Sequence, residues 1–171
     1  TVQPDGNVLF DPLPAFTGTA TAIRYQVQDS LGQVATATIT PTVRVAPNAV
    51  NDVSSGNYDT NQVINPLTND VNGTGTIDPT TVKLCGTGQT APSCTQTTLI
   101  VSGVGTYTVD ATTGEVTFDP LATFTGTAPA VTYQVSDSFG QTDSATITPT
   151  VGPPPLPVAV NDAQTSNWDT N

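Results

Sequence analysis

The chain has 171 residues, of which 14 are acidic, 3 are basic and none is histidine, so its formal net charge at neutral pH is −11. A surface of this sign repels a phosphate backbone, which argues against nucleic acid as a partner. The lack of histidine excludes Ser-His-Asp and Cys-His catalytic arrangements.

Hydrophobic residues make up 36% of the chain, charged residues 10%, and threonine about a fifth. Threonine favours strands, and its hydroxyl solvates an exposed face without charge. About 110 residues of this composition can bury a core, so we expect a folded all-β protein rather than a disordered one. No apolar run of about 18 residues is present, so we expect no membrane insertion in this segment.

The chain repeats itself at a nearly constant offset. Phe10-Asp11-Pro12 returns 108 positions later as Phe118-Asp119-Pro120. Val50-Asn51-Asp52 returns 110 positions later as Val160-Asn161-Asp162. A period near 110 residues is too long for a solenoid and is typical of whole domains joined in series.

The repeats predict three segments. Residues 1–44 form the back of one repeat, residues 45–151 form an entire repeat (the complete repeat), and residues 152–171 form a proline-rich linker with the first strand of a third copy. Neither end of the chain coincides with a repeat boundary, so we expect an excerpt from a longer chain.

Alternating apolar residues predict β-strands along the whole chain. In residues 1–44, Ile23, Tyr25 and Val27 alternate with polar neighbours, and a turn with glycine precedes a return strand. The same hairpin recurs over residues 131–151, where Pro149 favours an edge position. Further strands of the complete repeat are predicted at 48–54, 62–67, 80–85, 97–102, 105–109 and 115–119.

This spacing, with a turn every 8 to 12 residues, indicates tandem immunoglobulin-like β-sandwich domains. The linker at residues 152–157 is rich in proline and should adopt an extended polyproline II conformation. Stiff joints between elongated domains predict a rod.

Cys85 and Cys94 are the only cysteines and flank a loop-like segment. A disulfide between them would require an oxidising compartment. Two free thiols remain the alternative, whereas a zinc site lacks further histidine or cysteine ligands.

Asparagine and aspartate side chains gather near the start of the complete repeat. They offer the hard oxygen ligands that calcium prefers, and calcium there would stiffen a joint between domains. The alternative is that these side chains cap their own turns. The five candidate ligands are Asn51, Asp52, Asp59, Asn69 and Asp70, and the third copy repeats part of the set at Asn161, Asp162 and Asp169.

Catalysis has little support. Glu115 and Asp119 could form a carboxylate pair, but Asp119 lies in the repeated Phe-Asp-Pro turn, where an aspartate caps the backbone. We therefore expect no enzyme, and no cofactor other than the calcium considered above.

Several segments together resemble the CshA-type fibril repeat of bacterial surface adhesins. They include Gly105-Thr106-Tyr107-Thr108-Val109-Asp110, Gly114-Glu115-Val116-Thr117-Phe118-Asp119-Pro120 and Phe124-Thr125-Gly126-Thr127-Ala128. The resemblance implies an extracellular stalk on the cell surface, made of repeats that contact neighbouring repeats. It also implies that host or matrix ligands bind to other modules, and it brings no catalytic residues.

Two alternatives remain open. A repeat could itself bind a glycan or protein ligand. In the second alternative, separate chains would exchange strands to form an extracellular filament. Residues 1–44 resemble a repeat that lacks its first strands, and residues 158–171 resemble the first strand of a repeat.

Overall fold

The computed structural model describes residues 1–165, and within them the chain forms thirteen β-strands and one short 3-10 helix. No helix in this part of the chain is long and apolar enough to span a membrane. Residues 1–44 contain β1 (Gly18–Thr19), β2 (Ile23–Gln28), β3 (Val34–Ile39) and β4 (Thr42–Val43). The complete repeat contains β5 (Asp52–Gly56), β6 (Gln62–Ile64), the helix (Pro66–Thr68), β7 (Ile77–Leu84), β8 (Thr98–Val101), β9 (Gly105–Val109), β10 (Val116–Pro120), β11 (Gly126–Thr127), β12 (Val131–Asp137) and β13 (Thr142–Val151).

The complete repeat is built from two sheets around one core, consistent with a β-sandwich. In one sheet the strand order is β6, β10, β9, β8, and all neighbours are antiparallel. In the other, β12 pairs antiparallel with β7 and with β13, and β13 also pairs antiparallel with β11 near its end and parallel with β5. Both sheets contribute to a single hydrophobic cluster, which includes Val82, Leu84, Tyr107, Val116, Phe118, Tyr133, Val135 and Ile147.

Strand β12 shows how the local sequence produces this core. Val131, Tyr133 and Val135 point inward and are buried, as the alternation predicts. Gln134 differs from the prediction, because it is also buried although it faces the other way. Its side-chain oxygen accepts a hydrogen bond from Cys94 N at 2.8 Å, so a loop covers it.

Residues 1–44 fold as a second copy of the end of the complete repeat. The pairing of β2 with β3 places Ile23 opposite Ile39, which matches Val131 opposite Ile147 in β12 and β13. The copies differ in burial, because Ile23 is 50% exposed and Val131 is 6% exposed. Where the complete repeat covers this face with a four-stranded sheet, residues 1–44 have only a short hairpin, in which Val2 pairs with Val8 as Val109 pairs with Val116.

Several details of the predicted strands are wrong. The strand predicted at 48–54 runs from Asp52 to Gly56, the strand predicted at 80–85 begins at Ile77, and Asp119 lies within β10 rather than in a turn. The predicted strand at 62–67 ends at Ile64, because Asn65 caps a 3-10 turn by accepting a hydrogen bond from Leu67 N. Pro149 does not lie on an edge, since β13 has partners on both sides. The carbonyl oxygen of Pro149 accepts a hydrogen bond from Ala128 N, and the nitrogen of Pro149 points to the same side of β13. Pro149 lies between the residues of β13 that pair with β12 and those that pair with β11. The missing N–H therefore falls where no ladder bond is required.

Candidate functional site: the two ends of the complete repeat

The linker that enters the complete repeat is fixed to the loop before β7. Asn48 and Val71 exchange two backbone hydrogen bonds of 2.9 Å. Val45 N donates to Thr74 Oγ1 at 2.8 Å, and Thr74 N donates to Val45 O at 2.9 Å. A Cβ atom on Gly73 would collide with Val45 O, so this close approach requires glycine.

A cation–π contact adds to this attachment. The guanidinium carbon of Arg44 lies 4.0 Å from the ring centroid of Phe139, within the range of a favourable contact. Phe139 belongs to the turn between β12 and β13. The chain therefore enters the complete repeat at the end where β13 begins.

Four of the five candidate calcium ligands lie close together at this entry end. Asn69 Nδ2 donates to Asn51 O at 3.2 Å, and Asp70 Oδ1 accepts from Val50 N at 2.7 Å. The hydroxyl of Tyr133 lies 2.9 and 3.0 Å from the two carboxylate oxygens of Asp70. Sequence reasoning missed Tyr133 as part of this cluster, because its position in β12 indicates only a core residue.

Asp52 is the fourth member and the most buried. It is 7% exposed, and its Oδ2 atom has no hydrogen-bond partner among the described residues. Burial, and then the nearby charge of Asp70, raise the pKa of Asp52 to about 6. Burial likewise raises the pKa of Asp70, and burial with the neighbouring Asp70 carboxylate raises the pKa of Tyr133.

The fifth candidate ligand lies elsewhere. Asp59 follows the end of β5 whereas Asp52 begins it, so five residues of strand, about 16 Å, separate the two positions. Within residues 1–165, no group of three or more His, Cys, Asp or Glu side chains is arranged to hold a metal ion. Asn161 and Asp162 lie exposed in the segment after β13, and Asp169 lies outside the described residues. A calcium site therefore stays a prediction.

We expect calcium to have a small effect on stability, because the clustered side chains already bond to backbone groups and to Tyr133. Millimolar calcium should raise the melting temperature by less than about 3 °C, with magnesium as the control. A calcium-specific rise of more than about 10 °C would contradict this expectation and reveal a site.

The chain leaves the complete repeat at the opposite end. Gly152 N donates to Gly56 O at 2.9 Å directly after β13, and Pro153 and Pro155 then line a shallow surface depression with Tyr58. The hydroxyl of Tyr58 donates to Ala122 O, which fixes this ring at the exit. Residues 152–165 contain no strand.

A disulfide joins Cys85 to Cys94, whose Cα atoms lie 4.3 Å apart. Two backbone hydrogen bonds between Leu84 and Gln96, of 2.8 and 3.1 Å, close the base of the same loop. The buried Cys94 also donates its N–H to Gln134, as described above. The disulfide loop is therefore attached to the outer face of β12.

Replacing both cysteines by serine should lower the free energy of unfolding by about 2–3 kcal/mol, because the unfolded chain gains the freedom of an open loop. Thermal unfolding measured by circular dichroism should show the loss. Reductant should lower the melting temperature of the native chain and leave the double variant unchanged. Equal stability of the two proteins without reductant would contradict the prediction.

A buried glutamine connects β5 and β13, the first and last strands of the complete repeat, to the opposite sheet. Gln62 in β6 is 7% exposed; its Nε2 donates to Thr150 O at 3.0 Å, and its Oε1 accepts from Ser54 Oγ at 2.7 Å. A Cβ on Gly56 would lie 2.7 Å from the Gln62 side chain, so glycine makes room for it. No pattern in the sequence indicates this role, because a polar residue at the start of a short strand resembles a surface position.

The fold and its two ends define a class: an all-β tandem-repeat protein whose domain is entered and left at opposite ends. The chain belongs to the family described as the surface adhesin CshA repetitive domain, and the family model matches residues 1–43 and 44–151. No curated protein sequence matches the chain. The resemblance found in the sequence is confirmed, and the chain is a repeat region of a surface-adhesin family.

Proposed function

We propose that the chain is a non-catalytic stalk segment of an extracellular bacterial surface fibril, in which successive repeats project a distal binding head. The observation that carries this proposal is the separation of entry and exit. Arg44 packs on Phe139 immediately before β13, whereas Gly152 follows β13 directly. Strand β13 has 10 residues and therefore spans about 33 Å, so each repeat adds its length to the array.

The domain boundaries in this proposal follow the repeat pattern. Residues 45–151 form one immunoglobulin-like sandwich, residues 1–44 complete a preceding repeat, and residues 152–171 connect to the next. The parallel pairing of β5 with β13 supports an immunoglobulin-like topology, because it joins the first and last strands of the domain.

The surface of the complete repeat supports a passive role. Its most exposed large apolar side chains, Val53, Val63 and Ile100, lie on three different strands. Isolated apolar residues are normal on a soluble surface, whereas binding sites present contiguous apolar patches. The stalk therefore contacts neighbouring repeats, and host or matrix ligands bind to other modules.

Binding measurements with arrays of one, two and four repeats test this proposal. Immobilised glycans and matrix proteins should show no binding tighter than about micromolar, and signal should not rise with repeat number. A repeat that binds ligand would instead gain avidity with each added copy. Such a gain would contradict the stalk and favour the binding-module alternative, and concentration-dependent association would favour strand exchange between chains.

A further inference from the structure

The segment that enters the complete repeat runs beside its last strand in the same direction. The register pairs Asp52 with Ile147 at one end of β5 and Gly56 with Val151 at the other. Further hydrogen bonds extend this contact beyond the ladder. We call residues 49–56 together with β13 the terminal seam.

Hydrogen bonds lie at both ends of the terminal seam. At the entry end, Ala49 N donates to Asp143 Oδ2 at 2.8 Å. Asn51 Oδ1 accepts from both Thr146 N at 3.0 Å and Thr146 Oγ1 at 2.9 Å, so a side chain takes the place of a backbone acceptor. At the exit end, the bond from Gly152 N to Gly56 O continues the pairing past β13.

Gln62 connects the terminal seam from the side. Its two hydrogen bonds, to Ser54 and to Thr150 O, join one residue on each of the paired strands. Because Gln62 belongs to β6, the same side chain also ties the seam to the opposite sheet. Pro149 does not interrupt the seam, because its backbone groups face Ala128 on the other side of β13.

The direction of the strands decides how tension acts on these bonds. A pull along the array enters ahead of Ala49 and leaves after Val151, at opposite ends of two parallel neighbours. Such a pull slides one strand past the other, and the bonds of the seam must stretch together. If the strands were peeled apart from one end, the bonds would break one at a time and at lower force.

We propose that the terminal seam, held by Asn51 and Gln62, is the mechanical clamp that lets each repeat resist tension along the stalk. This inference rests on the proposed stalk function and adds the property that a stalk under shear requires. Asn51 supplies two hydrogen bonds to Thr146 at the entry end, and Gln62 cross-links the two strands near the exit end. The rest of the domain is shielded from the pull as long as this seam holds.

Constant-force unfolding of the full chain, pulled by its two ends, tests the clamp. Gln62→Met removes both cross-strand bonds and keeps the volume of the side chain. Gln134→Met is the matched control, because Gln134 is equally buried but bonds only to the disulfide loop. Asn51→Ala is a second variant at an exposed position, and Asn72→Ala is its control, since Asn72 bonds to Ile77 N outside the seam.

The Gln62→Met and Asn51→Ala variants should unfold about 5- to 30-fold faster than the native chain at a fixed force. The reason is that each substitution removes hydrogen bonds that resist the sliding of β5 past β13. The two controls should change the rate of forced unfolding by less than about twofold, even where a control lowers the melting temperature as much as its partner variant does. If each control accelerates forced unfolding as much as its partner variant, the clamp is wrong. Failure of the stalk would appear separately, as ligand binding that grows with repeat number.

Discussion

Replacing Phe118 by alanine is expected to lower the free energy of unfolding of the complete repeat by about 3–5 kcal/mol. Phe118 has no exposed surface, and its ring centroid lies 4.7 Å from that of Tyr107 in the middle of the core. Removing the ring leaves a cavity between the two sheets that neighbouring side chains fill only in part. Thermal unfolding should show a fall of about 10–20 °C in melting temperature.

The repeat supplies a matched control at the corresponding position. Phe10 occupies the same place in the first Phe-Asp-Pro segment but is 39% exposed. Phe10→Ala should therefore change the main unfolding transition by less than about 0.5 kcal/mol. Equal losses for the two variants would contradict the conclusion that only the complete repeat has a closed core.

The second large effect concerns the buried carboxyl of Asp52. Its pKa is raised from 3.8 to about 6, so the folded chain holds this proton more tightly than the unfolded chain. The stabilisation from this group is fully present below about pH 4 and is lost as pH rises through about 6. Asp52→Asn keeps a neutral side chain at every pH and should therefore be more stable than the native chain at pH 7.5, by about 1–3 kcal/mol.

The difference between Asp52→Asn and the native chain should shrink towards zero between pH 7.5 and pH 4.5. Chemical denaturation at several pH values measures it. Comparing variants is necessary because the exposed Asp110, whose pKa is lowered by hydrogen bonds from Thr113 N and Thr112 N, shifts stability with the opposite sign. Asp59→Asn removes an equal charge from an exposed turn and is the control. A constant difference across pH would contradict the assignment of Asp52.

The alternation of side chains was sufficient to predict the hairpins. Tyr133 and Val135 are buried as their spacing indicates, and the same register recurs in the first copy. The turn chemistry also repeats, since Asp137 accepts bonds from two backbone N–H groups as Asp29 does. These features depend on residues within about 20 positions of each other, so the local sequence pattern is sufficient to predict them.

The terminal seam could not be predicted in the same way. Asn51 and Thr146 are 95 residues apart, and no local pattern marks them as partners. Gln62 and Asp52 are polar, and polar residues beside turns resemble surface positions until the packing of a distant strand buries them. The sequence therefore indicated an acidic cluster near the entry but not its burial, and it gave no indication of the glutamine that crosses between the sheets.

Small-angle X-ray scattering of arrays of residues 44–151 tests most directly whether repeats add lengthwise. For two, three and four copies, the maximum dimension should increase by a constant increment of about 35–45 Å per copy, as expected for end-to-end domains of this strand length. Arrays that fold back on themselves would show a much smaller increment that declines with each copy, and that result would contradict the stalk.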